Sequence, residues 1–306
     1  MEYILRAENI TKDYKKFTAL KGVSIQLKPK RIYGLIGRNG AGKTTFMRII
    51  AGLSMQTGGK LELFGCSEPK KMVKQLKKIG CLIEYPSLNG NMTAMENLEL
   101  HRIMRGIKDK EAGSKLLKMV GLDNTGKKKV KDFSLGMRQR LGIAVALLGK
   151  PELLILDEPV NGLDPLGVVE IRNLIKELCE KHGITILISS HNLPELYQTA
   201  TDYIIIDKGE VKAAMTLDEL EQQCQKYYTI KCEENDKLVD ILRNELKTDK
   251  FKVMEDGTIR LYDFQSEQKM LAELFFKKGI ITEKFSLDGD TLENYFVHMV
   301  GGENGE

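Results

Sequence analysis

The residues GRNGAGKT at 37–44 set three glycines, a lysine and a threonine in the pattern G-x-x-x-x-G-K-[ST]. Glycine lets the backbone turn tightly enough for N–H groups of Gly37, Arg38, Asn39, Gly40, Ala41 and Gly42 to converge on phosphate oxygens. Lys43 can reach the β- and γ-phosphates of a nucleotide such as ATP. The Thr44 hydroxyl, followed by Thr45, can ligate Mg²⁺. A short apolar strand, RIYGLIG (31–37), runs into this loop and a helix-forming stretch, KTTFMRIIA (43–51), leaves it. That context is what the pattern needs to be a phosphate site.

A second chemical group follows at LLILDE (153–158). Four apolar residues bury a strand and deliver Asp157 to its carboxyl end, where α/β sheets bind ligands. Asp157 is expected to be the second Mg²⁺ holder, and Glu158 to polarise the attacking water as general base. The reaction this implies is in-line attack of water on the γ-phosphate, with charge stabilised by Lys43 and Mg²⁺.

Strands and helices must hold these groups in place. YILRAENIT (3–11), TALKGVSIQL (18–27) and GKLELFG (59–65) alternate apolar and polar residues, as half-buried strands do. GCLIE (80–84) is a short strand after a basic helix. Between about 93 and 149 the pattern turns helical: Thr93 and Glu96 form a capping box, and three helices fit at 93–106, 109–120 and 134–148. PELLILDEP (151–159), a helix at 164–183 and ITILISS (184–190) then alternate buried strand with helix, which means a parallel sheet covered on both faces. Beyond about 220 a separate α/β pattern begins: strands at 227–232, 251–254, 258–262 and 281–287, with helices near 235–246, 266–278 and 291–300.

The phosphate loop, FSLGMRQR (133–140), ILDEP (155–159), NGLDP (161–165) and ISSH (188–191) stand in the order and spacing of ATP-binding-cassette (ABC) ATPases, which residues 1–220 resemble. The resemblance implies an α/β P-loop fold of ABC type. It has a mainly parallel ATP-binding core, an N-terminal antiparallel β subdomain and a helical subdomain at about 85–150. Residues 221–306 would add a small α/β accessory domain. It also implies head-to-tail dimerisation, with Ser134 and the backbone of Gly136 of the signature reaching the γ-phosphate in trans. Asp164 matches the aspartate that communicates between the two sites. His191 matches the switch histidine, and Tyr14 the aromatic that stacks on adenine. The partner implied is a membrane permease, whose coupling helix would dock between Glu84 and Asn97, with Tyr85, Pro86 and Leu88 as contacts.

Departures from the family pattern narrow the resemblance. Glu84, in GCLIEYPSL (80–88), stands where a glutamine is usual, and Leu135 and Met137 replace signature residues. Glu84 can offer an oxygen to Mg²⁺ or water. Its added negative charge, beside Asp157, Glu158 and the phosphates, is expected to need Mg²⁺ or a proton to offset it. LIEYPSL with SLGMRQRL is similar to the bacitracin-resistance and lantibiotic-immunity ATPases, which work with separate membrane subunits to remove antimicrobial peptides. The rivals are an ATPase of another exporter, a soluble non-transport ABC ATPase and an importer ATPase.

Composition sets the outer limits. At 306 residues, 42% hydrophobic and 29% charged, the chain is neither wholly disordered nor a multi-span membrane protein, and about two domains are expected. A net charge of +4 is too small to imply nucleic acid, and five cysteines without a CxxC pair suggest neither disulfide framework nor zinc. The start, MEYILRAENI, does not read as a signal peptide, and the apolar runs are too short to span a bilayer. The expected location is cytoplasmic, held at the inner membrane face through the permease. The basic run GKKKVK (126–131) reads as a solvated loop, and the methionines between 92 and 119 as core packing.

Overall fold

The computed structural model describes residues 2–289, Gln225 and Gln265 excepted, together with Tyr295 and Met299. The chain divides into two units, one running to Leu217 and the other beginning at Asp218.

The first unit opens with β1 (Leu5–Tyr14) and β2 (Phe17–Leu27), followed by β3 (Ile32–Ile36), α1 (Lys43–Ile50), β4 (Gly58–Leu63), α2 (Pro69–Leu76) and β5 (Ile79–Leu82). Three helices come next: α3 (Ala94–Met104), α4 (Ala112–Met119) and α5 (Leu135–Leu147). The remainder is β6 (Leu153–Asp157), α6 (Pro165–Glu180), β7 (Thr185–Ser190), α7 (Leu193–Tyr197), β8 (Asp202–Asp207) and β9 (Glu210–Thr216).

Among the described residues these strands form two sheets. One is antiparallel, in the order β2-β1-β4. The other has the order β5-β6-β7-β3-β8-β9, parallel throughout except for β9. Every residue of β3 and β6 is buried, as strands covered on both faces must be. Phe46 and Met47 of α1 join one core with Leu20 and Val23 of the first sheet and Leu153 and Ile155 of the second. The phosphate-loop helix is thereby clamped between the two sheets.

The hairpin β8–β9 is absent from the sequence reading. Its two-residue turn, Lys208–Gly209, has positive φ at both positions (47° and 82°), the geometry that matches the twist of antiparallel strands.

Helices α3, α4 and α5 pack together, with Leu98, Leu116 and Leu117 buried among them. The methionines correct one expectation: Met95 and Met104 are exposed, and Met92 and Met119 only half-buried, so leucines fill this core. The basic run is also more structured than a solvated loop. Lys129 pairs with Glu96 at 3.2 Å, and Val130 is buried with its N–H donating to Met92 O.

From Asp218 the second unit contains most of α8 (Leu217–Gln223), then β10 (Tyr227–Cys232), α9 (Asn235–Asn244), β11 (Phe251–Val253), β12 (Ile259–Leu261), α10 (Gln268–Lys277) and β13 (Thr282–Asp288). Its sheet has the order β11-β12-β10-β13 with every pairing antiparallel. Strand order β-α-β-β-α-β with this arrangement is the split βαβ, or ferredoxin-like, topology. Tyr228, Ile230, Leu238, Leu242, Leu271 and Phe275 build its own core. The helix expected at 291–300 lies outside the described residues apart from Tyr295 and Met299.

Candidate active site

The loop after β3 is shaped by glycines that no other residue could replace. Gly42 has φ 106°, and a Cβ there would lie 2.7 Å from Leu20 Cδ2 and 2.9 Å from Ala19 O. A Cβ on Gly37 would lie 2.4 Å from Ile206 O. Gly42 is also the N-cap of α1 and brings no side chain to the helix start. The first N–H groups of a helix have no intrahelical acceptor, so this end is ready for an anion. The loop is braced from behind, where the Gly209 N–H donates to Ala41 O at 3.0 Å.

Lys43 is only 5% exposed. Its ammonium donates to Gly37 O at 2.8 Å and to Arg38 O at 3.3 Å, and lies 3.5 Å from Glu158 Oε1. The buried cation is therefore satisfied by the curve of the loop itself, at the place where phosphate oxygens would compete for it.

Asp157, 6% exposed, is held on both oxygens. Thr44 Oγ1 donates to Oδ2 at 2.8 Å, and Ser189 Oγ donates to Oδ1 at 2.5 Å. Thr44 and Asp157 thus present two adjacent hard oxygen donors at the foot of the phosphate loop. Such a pair fits Mg²⁺, which takes oxygen ligands and leaves its other positions to phosphate and water.

Glu158 has a left-handed backbone, φ 47°, uncommon for a residue with a Cβ and characteristic of functional sites. Its Oε1 lies 3.3 Å from His191 Nδ1, and its Oε2 accepts from Asn161 Nδ2 at 3.1 Å. Lys43, Thr44, Asp157, Glu158 and His191 are therefore one connected cluster.

Glu84 stands apart from that network. It follows β5, also with positive φ (64°), and its Oε1 accepts from Arg48 Nη2 at 2.6 Å. The expectation that only Mg²⁺ or a proton would offset its charge is corrected: the guanidinium of Arg48 already does.

The remaining candidates make local bonds. Ser134 is the N-cap of α5, accepting from the Met137 N–H, and Asp164 is the N-cap of α6, accepting from the Gly167 N–H. Gly136 lies in the first turn of α5, near Leu163. Tyr14 ends β1, and its ring stacks on Phe17 across the hairpin at a centroid separation of 5.2 Å. Pro86 packs against α5 at Gly142, Leu88 is half-buried, and Tyr85 is 87% exposed.

The family described as ABC transporter matches residues 20–161. The bacitracin transport ATP-binding protein BcrA of Bacillus licheniformis is 41% identical over 302 residues, covering 99% of each chain. The chain belongs to the ATP-binding subunits of ABC transporters. The lantibiotic transport ATP-binding protein SrtF of Streptococcus pyogenes is 42% identical over 208 residues, which is 68% of this chain and 89% of that one. Among solved structures, a dimeric ATP-binding cassette in a post-hydrolysis state, bound to ADP and Pi, aligns with a TM-score of 0.61. It is 28% identical and covers 70% of this chain and 98% of that one.

In this ABC ATPase subunit the candidate residues are held by others that the motifs do not single out. Ser189 lies inside the motif ISSH and touches both Asp157 and Glu158, although only the histidine of that motif stands out by residue type. Asn161, from NGLDP, holds Glu158. Phe17 extends the aromatic surface of Tyr14, and its signal was the aromatic three residues later. Arg48 had no signal, because its partner is 36 residues away and meets it only in the fold.

Proposed function

We propose that this chain hydrolyses ATP to energise a separate membrane permease that exports antimicrobial peptides of the bacitracin or lantibiotic kind. The observation that carries the cargo class is the match to a bacitracin transport ATP-binding protein over 99% of both chains, second unit included. That full-length likeness favours transport over a soluble ABC ATPase. No helix among the described residues is long and apolar enough to cross a membrane. In this reading the permease is a separate chain, met at the cytoplasmic face.

The site supports a definite division of labour. N–H groups of residues 37–45 receive the phosphates, and Lys43 leaves the Gly37 and Arg38 carbonyls for the β- and γ-phosphate oxygens. Thr44 and Asp157 would hold Mg²⁺, with Glu84 as a further oxygen ligand, and the ion would offset phosphate charge. Glu158 accepts the proton of the attacking water. His191 orients that water and hydrogen-bonds the γ-phosphate. Ser134 and Gly136 act on the nucleotide of a second ATPase subunit, and Asp164 links the two sites. Tyr14, backed by Phe17, stacks on adenine.

For the permease we propose a contact surface around Tyr85 and Leu88, continued by Leu100, Ile103 and Met104 of α3. These three are exposed apolar residues at helical spacing. The division into a nucleotide-binding domain, 1–220, and an accessory domain, 221–306, completes the reading, with dimer support or regulation as the second domain's role.

The test is co-expression with its permease in a sensitive bacterium, followed by challenge with bacitracin and lantibiotics. Raised resistance to at least one of them is expected. Sensitivity unchanged toward all of them would reject the cargo class.

A further inference from the structure

Arg48 is in the last turn of α1, five residues after Lys43, so the helix that begins at the phosphate loop ends at the partner of Glu84. Its backbone is fixed, since the Arg48 carbonyl accepts from the N–H groups of Leu53 (2.8 Å) and Ser54 (3.2 Å). Only the guanidinium is left to move. Glu84 lies at the end of a strand that runs beside the one carrying Asp157. Strands β5 and β6 are parallel with Leu82 paired to Leu156, so Glu84 and Glu158 each stand two residues beyond a paired leucine. Adjacent strand ends therefore place Glu84 and Glu158 at the same edge of the sheet, where a bound phosphate would meet two carboxylates and be repelled unless a cation intervened.

The pair is built to open. Side chains of Arg48 and Glu84 are 40% and 54% exposed, and ion pairs this solvated are weakly held. A single guanidinium is enough to neutralise Glu84, and a divalent ion would bring twice its charge.

We propose that Arg48 is a positioning residue for Glu84. It neutralises that carboxylate against α1 until Mg²⁺ arrives with the nucleotide, and thereby sets how strongly nucleotide binding depends on Mg²⁺. This rests on the reading of residues 37–45, Asp157 and Glu84 as the Mg²⁺–ATP site.

The experiment measures affinity of the full chain for a fluorescent ATP analogue, in Mg²⁺ and in EDTA, and takes the ratio of the two Kd values. Removing the counter-charge in Arg48→Gln leaves Glu84 facing the phosphates alone. Binding in EDTA should weaken, widening the ratio roughly two- to fivefold, the range that exposed ion pairs support. Arg48→Lys, which keeps the charge on a stem of similar reach, should retain the wild-type ratio. Once Glu84→Gln has removed the carboxylate, adding Arg48→Gln should no longer change the ratio. An equal effect of Arg48→Gln in both backgrounds, or none in either, would overturn the proposal while leaving the nucleotide site standing. Failure of the wild-type chain to bind the analogue at all would overturn both.

Discussion

Ser189 and Asp157 face each other in the register of β7 and β6, and the serine hydroxyl donates to Asp157 Oδ1 at 2.5 Å. The same hydroxyl accepts the Glu158 N–H at 2.9 Å. One oxygen thus orients the carboxylate beside Thr44 and anchors the strained residue that follows it.

Ser189→Ala should therefore act through its neighbours. Loss of a residue that orients a metal ligand commonly costs 10- to 100-fold in metal affinity or activity. The Mg²⁺ concentration giving half-maximal ATPase activity should rise by about tenfold or more, and the buried groups left without the hydroxyl should cost about 1–3 kcal/mol of stability. A magnesium titration of the ATPase rate reads this directly, and an unchanged midpoint would remove Ser189 from the account.

The capping box of α3 predicts a pH effect on stability. The Thr93 N–H, then Lys129, holds the Glu96 carboxyl below the usual glutamate range. The stabilisation is present above the ordinary glutamate value and is lost as pH falls through the lowered one. Denaturant titrations should show Glu96→Gln less stable than wild type at neutral pH, with the gap closing below about pH 4. Thr93→Ala, which removes the N-cap oxygen, should cost about 1 kcal/mol at neutral pH.

The exposed face of α3 separates hydrolysis from transport. Ile103→Asp combined with Met104→Asp leaves the catalytic cluster untouched, so the isolated chain should hydrolyse ATP at the wild-type rate. Co-purification with the permease from detergent-solubilised membranes should be lost. Retained co-purification would place the docking surface elsewhere.

The catalytic elements were legible because their chemistry is local. GRNGAGKT and ILDEP each carry ligand, spacing and strand context within a few residues, and the structure brings Lys43, Thr44, Asp157 and Glu158 together accordingly. Long-range relationships were not legible. Arg48 meets Glu84, 36 residues further along the chain, only once the chain has folded, and nothing in either segment announces the other. The hairpin β8–β9 escaped because its turn, Lys208–Gly209, lacks the Asn-Gly or Asp-Gly signal, although Gly209 braces the phosphate loop at Ala41. Helical spacing of the methionines between 92 and 119 also misled, because spacing alone does not say which face of a helix is buried. Methionines of α3 were assigned to the core, but Ala94 and Leu98 define its buried face and Met95 and Met104 lie off it. In the second unit the sequence showed strands and helices in the right order, while the sheet order that makes it ferredoxin-like required the pairing of β10 with both β12 and β13.

The account turns on Glu158 as the base at a Lys43–Asp157 nucleotide site. Its most direct test is ATP binding and turnover measured side by side for wild type and Glu158→Gln. The variant keeps the hydrogen bond from Asn161 but cannot take a proton from water. Nucleotide affinity should stay within a few-fold of wild type while the turnover rate falls by about 10²–10⁴. Hydrolysis by Glu158→Gln at the wild-type rate would contradict it.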